Sequence, residues 1–451
     1  MKRHWPALAV LGGGVLLVDS LHGPLSSVLS LTAAAGGLWL LSGRLKPARL
    51  ALPTSSGGWI ERLEQVLLAF DRLDATAPPA LLAGSETPQA RRRQQLTDLQ
   101  ERQGRRHLEL ALVGGAGWSD ALQSAVVASC RVPLPLRVHR SHPLPPATGA
   151  WEWPETFERC DHLIMRVDLP LKAADLRWLE ALPDGQEVWL LVDRPGDICG
   201  QAADDPQGEA AWQALLHQLP ESLRERVWPW TPTRVEGLGD QLAPLMQRLT
   251  PGALLQPERT QLRCLKRLHS RWQVELELLR RRHWQQLQLQ TQWTVAAGVL
   301  VAPLPSLDLL VLAAANGLML REMARLWDCP WSLDQLQAAA GQMARAALSL
   351  GVVEWSSQAL ASLVKLHGAT WLVGGALQAL SAAYLTRVVG RAMADYLALA
   401  AGVPEEELEA LLQRQAPLLV ARAAEEERLD WSGFLQQGQQ WLLERQQVNP
   451  A

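Results

Sequence analysis

The order of apolar and polar positions in the middle of this chain predicts alternating β-strands and α-helices. Short apolar runs typical of buried strands cover residues 108–113, 162–168, 187–192 and 226–230. Segments with helical spacing of their apolar residues follow at 120–128, 173–182, 212–219 and 238–249. Strands and helices that alternate in this way form a parallel sheet covered by helices. We therefore predict an α/β domain over residues 107–250.

Two apolar runs at the amino terminus predict a helical hairpin in a membrane. They are Trp5–Val18 and Leu25–Leu41, and the Asp, Gly and Pro between them are typical of a turn. Basic residues flank the pair on both sides, so the positive-inside rule places both ends in the cytoplasm. The first run is short for a full span, which needs about 20 residues. We prefer a hairpin over residues 1–45 to a cleaved signal peptide, whose cleavage site is missing, and to a hairpin buried in a soluble core.

The carboxy-terminal part carries further apolar stretches. Residues 293–320 contain one charge, Asp308, and two prolines, whereas residues 369–386 contain no charge and many small side chains. Both stretches predict membrane-spanning or re-entrant segments. The alternative is a soluble bundle rich in Ala and Leu, because acidic side chains among these segments would be costly in lipid. We assign residues 251–402 to an all-α domain associated with the membrane.

A long amphipathic helix, predicted over residues 254–292, leads into that domain. Arg280, Arg281 and Arg282 lie on it just before the apolar zone. A basic segment beside a membrane attracts anionic lipids by about 1 kcal/mol per basic residue. These arginines are our candidate lipid-facing residues. The alternative is a helix that packs on its own domain with its charges in water.

The remaining segments predict soluble helices. Residues 46–106 form a connector with an amphipathic helix near Trp59–Phe70, followed by an arginine-rich segment, 89–106, that we predict to be a solvated helix. Residues 403–451 are acidic at their start and rich in Gln at their end. Acidic residues are favourable in the first turn of a helix, so this tail predicts one or two helices.

Composition and charge exclude several classes of function. A net charge of −3 gives no general attraction to nucleic acid, and we expect no nucleic-acid partner. The five cysteines contain no C-x-x-C pair, which argues against a disulfide framework or a zinc site and fits a reducing compartment. His139 and His142 have no carboxylate or cysteine at ligand spacing. We therefore predict a surface loop there and no bound metal.

The turn after the first predicted strand resembles a phosphate-binding loop without its chemistry. It reads VGGAGWSD over residues 113–120. A working loop, G-x-x-x-x-G-K-[ST], uses its lysine on the phosphates and its hydroxyl on Mg²⁺. Here the lysine position holds Asp120 or, in a loop two residues shorter, Trp118, and neither side chain neutralises a triphosphate. The loop residues that would contact a nucleotide are Gly114, Gly115, Gly117 and Ser119.

On these residues the chain resembles a bacterial Era/Ras-like GTPase domain joined to a YcjF-like membrane domain of unknown function, an arrangement also seen in cyanobacteria. The resemblance rests on residues 110–115, on DHLIMRVDLPLKAADLRWLEAL and VWLLVDRPGD, and on APLPSLDLLVLAAANGLMLREMARLW with the later helices to Gly402. It implies a P-loop-NTPase-like domain with a doubly wound, mostly parallel sheet. It also implies GTP and Mg²⁺ as ligands where the motifs are intact.

The nucleotide-binding motifs of that family are degraded in this sequence. No D-x-x-G switch lies between Val138 and His162. The guanine-reading N-K-x-D falls at Asp193-Arg194-Pro195-Gly196, with Asp197 one position late. Asp193, Arg194 and Asp197 are therefore candidates for a residual guanine contact, and the alternative is a polar turn after a buried strand.

We therefore predict a degenerate GTPase that acts as a scaffold or adaptor, without catalytic residues or an obligatory cofactor. Its soluble domains would be cytoplasmic, on a plasma or thylakoid membrane, with a protein partner that is an active GTPase or a second copy of the chain. The first alternative is a low-affinity GTPase that binds GTP and Mg²⁺ and receives its missing charge in trans. The second alternative is a transporter component, favoured only by Asp308.

Overall fold

A computed structural model gives the structure of this chain. It describes residues 52–75, 88–115, 117–144, 153–193, 206–230, 238–301, 317–367, 376–400 and 405–448. Contacts divide the chain into two units. Pro53–Val274 form an α/β unit, and Glu275–Ala451 belong to a helical unit. Each unit has hydrophobic core clusters of its own.

Five parallel strands form the sheet of the α/β unit, in the order β2-β1-β3-β4-β5. They are β1 (Leu108–Gly114), β2 (Leu136–Arg140), β3 (His162–Asp168), β4 (Glu187–Asp193) and β5 (Val227–Trp230). The central strands are apolar on both faces: Leu110 and Leu112 of β1 enter one core, and Ala111 and Val113 enter the other. This burial is typical of a parallel sheet covered on both sides. The predicted parallel α/β fold is confirmed.

Helices cover both faces of this sheet. The helices of the unit are α1 (Ser56–Ala75), α2 (Pro88–Glu101), α3 (Asp120–Ser129), α4 (Glu155–Glu158), α5 (Ala173–Glu180), α6 (Pro206–Gln218), α7 (Glu221–Arg224), α8 (Leu238–Arg248) and the first part of α9 (Gln256–Val301). Val126 of α3 and Leu245 of α8 lie on one face. Trp178 of α5 and Leu215 of α6 lie on the other. The helix that follows β1 and the helix that follows β3 therefore lie on opposite faces.

The connector helices pack together. Arg92 of α2 is buried, its guanidinium carbon lies 3.7 Å from the centre of the Phe70 ring, and it pairs with Asp74 at 3.0 Å. Trp272 of α9 also contacts Phe70, edge to face, with the two ring centres 6.3 Å apart. The arginine-rich segment that we predicted as a solvated helix is therefore held against α1, because its cation has both an aromatic face and a carboxylate.

The helical unit is built around a helix that is buried on nearly all sides. Its helices besides the second part of α9 are a helical segment over 317–326, α10 (Leu333–Ser349), α11 (Val352–His367), α12 (Ala376–Ala400), α13 (Glu405–Leu429) and α14 (Trp431–Val448). The buried helix is α12, and its small side chains let the neighbouring helices approach closely. Leu412 of α13 and Phe434 of α14 enter the same core. The predicted all-helical carboxy-terminal region is confirmed, and the segment predicted as a tail contributes to its core.

The membrane predictions are not decided by the fold. Among the described residues, no helix combines the length and the apolar character needed to cross a membrane. The predicted hairpin over residues 1–45 lies outside the described residues, as does Asp308. The hairpin and the spans of the carboxy-terminal part therefore stay predictions.

Candidate functional site

The carboxyl ends of β1, β3 and β4 meet at one edge of the sheet, which we call the C-edge. The order of the strands places a topological switch point between β1 and β3, because the chain leaves these neighbours toward opposite faces. Ligands of open α/β sheets bind in the crevice at such a point. The C-edge is therefore the place where a ligand site is expected from the topology.

The loop between β1 and α3 follows the C-edge closely. Gly114 ends β1 with φ of 146°, and a Cβ atom there would lie 2.2 Å from the carbonyl oxygen of Arg166. Gly117 also has a positive φ, 71°. The Trp118 side chain turns into the core and donates its Nε1 hydrogen to the carbonyl oxygen of Val113 at 2.8 Å. Gly114 thus allows the backbones of β1 and β3 to approach closely, and Gly117 gives the backbone the positive φ that precedes the inward-turned indole.

Ser119 and Asp120 form the start of the helix. The Ser119 hydroxyl accepts a hydrogen bond from the backbone N–H of Leu122 at 3.2 Å, so it caps α3. Asp120 is exposed and forms an ion pair with Arg140 of β2. Of the two residues that could stand at the lysine position of a P-loop, Asp120 is thus an acid paired with a neighbouring strand, and Trp118 is an indole in the core.

Asp193, at the end of β4, is enclosed by donors. The Arg166 guanidinium binds its carboxylate through Nε, at 3.0 Å and 3.1 Å, and through Nη2, at 2.5 Å. Trp230 Nε1 donates to Asp193 Oδ1 at 2.5 Å. Arg166 Nη1 also donates to the carbonyl oxygen of Gly117 at 3.0 Å. Hydrogen bonding to Asp193 raises the pKa of Arg166 above its ordinary value. This set, the Arg166 lock, joins the glycine loop to β3, β4 and β5.

A second group of charges follows β3. Lys172 Nζ pairs with Asp168 at 3.1 Å. The Asp175 carboxylate accepts a hydrogen bond from the backbone N–H of Lys172 at 3.2 Å and lies 3.4 Å from the Cβ position of Gly115. Burial raises the pKa of Asp175, and the backbone hydrogen bond opposes that shift. Two carboxylates and one lysine therefore follow the carboxyl end of β3, and one of the carboxylates, Asp175, lies next to Gly115 of the loop after β1.

The structure brings most of the predicted nucleotide-contacting residues to the C-edge. Gly114, Gly115, Gly117, Ser119 and Asp193 lie there. The other two, Arg194 and Asp197, lie outside the described residues.

Sequence reasoning missed the two side chains that hold Asp193, namely Arg166 and Trp230. The available signal was a single arginine within the apolar strand HLIMRVD, and its partner is 27 residues further along the chain.

The three predicted lipid-facing arginines differ in their surroundings. Arg280 is buried and lies 3.4 Å from Asp328. Arg281 is half-buried and pairs with Glu277 at 2.7 Å and with Asp395 at 2.6 Å. Arg282 alone is exposed. The predicted basic surface is corrected accordingly: two of its guanidinium groups bind carboxylates inside the helical unit.

The structure also brings together a possible ligand set that we did not predict. Glu109 of β1, His139 of β2 and Cys160, just before β3, have their ligand atoms within 4.8 Å of one another. Burial raises the pKa of the Cys160 thiol to about 12. Burial is the largest influence on Glu109 and raises its pKa, but the hydrogen bonds from Arg102 and His107 and the charges of Arg102 and Arg105 together lower the pKa below its ordinary value. His139 lies on β2 and not in the predicted surface loop, and residues distant in sequence bring a carboxylate and a thiol close to it.

A cleft rich in arginine lies between α2, α4 and the first part of α9. It encloses about 320 Å³ including its open mouth. Arg267 Nη2 pairs with Glu158 at 2.7 Å, and Arg271 Nη2 lies 3.9 Å from the same carboxylate. Arg263 donates to the carbonyl oxygens of Glu158 and Cys160 at 2.8 Å and 2.9 Å. Guanidinium groups outnumber carboxylates around this cleft, so its chemistry suits an acidic group.

Comparisons with known proteins give one match, in the carboxy-terminal part. Residues 263–420 match the model of a family described as a domain of unknown function, DUF697. The match covers about a third of the chain and is consistent with a YcjF-like carboxy-terminal domain. No curated protein matches the chain, and no solved structure does. The parallel sheet is compatible with a P-loop domain, but no GTPase family is among these matches.

Proposed function

We propose that this chain is a membrane-attached scaffold or adaptor whose α/β unit is a degenerate GTPase domain that binds a protein and does not hydrolyse nucleotide. The observation that carries the proposal is the Arg166 lock. Phosphate recognition needs donors that point into an open loop. Here Arg166 ties the glycine loop to Asp193, and Trp118 fills the space beneath it.

The charges at the C-edge support the same conclusion. Among the described residues there, Arg166 pairs with Asp193, Lys172 with Asp168, and Arg140 with Asp120. Each cation therefore faces a carboxylate already. A triphosphate and Mg²⁺ would have to break one of these pairs, whereas a P-loop lysine is held ready for the phosphates. In the arginine-rich cleft, Arg271 is half-exposed and its Nη2 stays 3.9 Å from Glu158, so this guanidinium group supports a protein partner with an acidic side chain.

Nucleotide binding by the full-length chain tests the proposal. Fluorescent GTP and ATP analogues are titrated with Mg²⁺ against the native chain and against Trp118→Ala and Asp120→Ala. We expect no saturable binding up to millimolar nucleotide in any of the three. Saturable, guanine-selective binding by the native chain, abolished by Asp197→Ala, would establish the rival function of a low-affinity GTPase.

Membrane attachment is tested separately. Flotation of the full-length chain with vesicles of mixed neutral and anionic lipid is compared with flotation of a chain that lacks residues 1–45. We expect attachment that survives high salt and that is lost with the hairpin. Recovery of the full-length chain in the lipid-free fraction would contradict this part of the proposal. Crosslinking on the vesicles then distinguishes a second copy of the chain from another protein as the partner.

A further inference from the structure

We propose that Glu109, His139 and Cys160 form a binding site for a divalent transition-metal ion of the zinc class. The three residues offer one oxygen, one nitrogen and one sulfur atom within 4.8 Å of one another. Zinc accepts all three kinds of ligand, and no other residue type is needed for a three-ligand site. The site is independent of the proposed function.

The sheet holds these three residues in place. Glu109 lies two residues before Ala111 on β1, and Ala111 pairs with His139 on β2, so both side chains lie on the same face of neighbouring strands. Cys160 enters the core on that face. The backbone N–H of Asp161 donates to the carbonyl oxygen of Glu109 at 2.8 Å, which fixes the segment of Cys160 beside β1. The strand of Glu109 is therefore hydrogen-bonded to both backbone segments that carry the other two donors.

The spacing fits a metal ion after a small contraction. Bonds of about 2.0–2.3 Å in a tetrahedral zinc site place its ligand atoms ~3.5 Å apart. The observed limit of 4.8 Å exceeds that separation by a distance that side-chain rotation can close. A site of this kind keeps a fourth position for water or another ligand.

His139 Nε2 and Cys160 Sγ can each bind a metal ion. His139 Nε2 is buried and has no hydrogen-bond partner among the described residues, which is costly for a polar atom unless something binds it. Cys160 Sγ makes one weak hydrogen bond, to the carbonyl oxygen of Thr156 at 3.3 Å. Metal binding releases the thiol proton to solvent, so this bond is exchanged for a metal–thiolate bond.

The third donor, Glu109, is already oriented. Arg102 donates to its two oxygens at 3.2 Å and 2.5 Å, and His107 Nε2 lies 3.2 Å from Oε1. Carboxylate ligands of metals are commonly held by such outer hydrogen bonds, and each carboxylate oxygen has a second lone pair for the ion. The arginine therefore serves as the outer support of the ligand.

Local charge selects the class of metal. Arg102 and Arg105 lie beside Glu109 and Asp161, so the surroundings are balanced before a metal binds. Only the thiolate adds negative charge when it forms. A hard ion such as Mg²⁺ or Ca²⁺ prefers several oxygen ligands and gains little from sulfur, whereas zinc-class ions bind thiolate and imidazole strongly.

Cobalt provides the direct test, since Co²⁺ replaces zinc and reports its ligands in its absorption spectrum. The full-length chain, stripped with a chelator, is titrated with Co²⁺ and then with Zn²⁺. We expect one equivalent of Co²⁺ to give a near-ultraviolet thiolate-to-cobalt band and visible bands of a four-coordinate ion, both displaced by Zn²⁺. Cys160→Ser should abolish the near-ultraviolet band, and His139→Gln should weaken binding by more than the ~10–100-fold loss typical of outer-shell residues.

Two matched variants serve as controls. Cys130→Ser removes a half-buried cysteine outside the cluster, and His142→Gln removes the exposed histidine three residues from His139. Both should bind Co²⁺ as the native chain does. Absence of the thiolate band in the native chain, or a band that persists in both Cys160→Ser and His139→Gln, overturns the site. Should Cys160→Ser fail to fold, the native spectrum and His139→Gln still decide the question.

Discussion

The C-edge of the α/β unit and the contact between α12 and α13 of the helical unit use the same chemistry in different surroundings. At the C-edge, Arg166 holds Asp193 beside a glycine loop. In the helical unit, Arg387 and Arg391 stand one turn apart on α12 and both bind Glu427 of α13, the latter at 2.8 Å. Glu427 is 2% exposed, so this pair is the more deeply buried of the two.

The difference shows what each ion pair contributes. Two arginines that clamp one buried carboxylate fix the register of two helices and occupy no crevice. The Arg166 lock, by contrast, uses donors at the place where a parallel sheet binds its ligands. The same interaction therefore stabilises packing in the helical unit, and under the proposed function it takes up, at the C-edge, a guanidinium group that a phosphate would need. The region that matches the family model, 263–420, includes α12 with both arginines but ends before Glu427 of α13, and it excludes the sheet.

The largest effect should follow from breaking the clamp in the helical unit. Glu427→Gln keeps the shape of the side chain and removes the charge that faces Arg387 and Arg391. Both guanidinium groups would stay within the contact, but Arg387 keeps Asp430 and Arg391 keeps Glu426 as partners. We therefore expect a loss of about 3–4 kcal/mol in the free energy of unfolding, in the lower part of the range for a broken buried pair. Urea unfolding followed by tryptophan fluorescence and circular dichroism measures it.

A surface ion pair on the same helix provides the control. Arg422 is exposed and pairs with Glu426 at 2.8 Å, one turn along α13. Arg422→Gln should cost less than about 0.5 kcal/mol. Equal losses for Glu427→Gln and Arg422→Gln would show that the clamp contributes no more than a surface pair.

The next prediction tests the close contact between the backbones of Gly114 on β1 and Arg166 on β3, at the C-edge. Gly114→Ala places a methyl group 2.2 Å from the Arg166 carbonyl oxygen at a residue with φ of 146°. The strained backbone conformation of residue 114 and the clash with the backbone of β3 both oppose the substitution. We expect a loss of about 3 kcal/mol in the free energy of unfolding, measured in the same way. Gly115→Ala, whose nearest contact would be Asp175 Oδ1 at 3.4 Å, should cost under about 1 kcal/mol. A tolerated Gly114→Ala would mean that β1 and β3 separate easily at this end.

The strands that could be predicted from sequence are those that are buried on both faces. HLIMRVD and EVWLLVD are nearly continuous apolar runs, and their strands, β3 and β4, were predicted within a residue of their ends. The edge strand β2, LRVHR, was missed, because its residues are only partly buried and no apolar run results. A strand that is buried on two faces can be recognised as an apolar run in the sequence, whereas the outermost strand of a sheet has no such run.

Site residues divide in the same way. Gly114, Gly117 and Ser119 were predicted because one short loop contains them. Arg166 was not, because its role depends on a partner on another strand, and pairing between parallel strands is set by the fold. Glu109, His139 and Cys160 are likewise 30 and 21 residues apart, so no local spacing indicates them. Local motifs were predictable, whereas contacts across the sheet required the structure.

A pH-dependent effect should distinguish the two units. His269 of α9 lies within the α/β unit, where its Nε2 accepts a hydrogen bond from Arg62 Nε at 3.2 Å. Burial and the charge of Arg62 lower the pKa of His269 to about 4. The unfolded chain, with an ordinary histidine pKa of about 6.5, binds the proton first as the pH falls. The contribution of His269 to the free energy of unfolding is therefore fully present above about pH 6.5 and declines between pH 6.5 and pH 4, with a loss of ~2 kcal/mol at pH 5.

Substitution of the histidine tests that assignment. His269→Gln should lower stability at pH 7.5 through lost packing, yet reduce the difference between pH 7.5 and pH 5 by ~2 kcal/mol. His217→Gln, at an exposed position on α6, should leave that difference unchanged. An unaltered difference in His269→Gln would assign the acid sensitivity to other groups.

The smallest effect contrasts two glycines of the helical unit, one inside α10 and one just after it. Gly341 lies in the middle of α10, and a Cβ atom there would meet nothing within 4 Å. Because alanine restricts the unfolded chain without a clash, Gly341→Ala should stabilise the helical unit by about 0.5–1 kcal/mol. Gly351, just after the same helix, has φ of 69°, so Gly351→Ala should destabilise it by about 1 kcal/mol. If the free energy of unfolding rises in Gly341→Ala and falls in Gly351→Ala, backbone conformation, and not space alone, decides where this chain requires glycine. A fall in both variants would indicate that α10 tolerates no added methyl group.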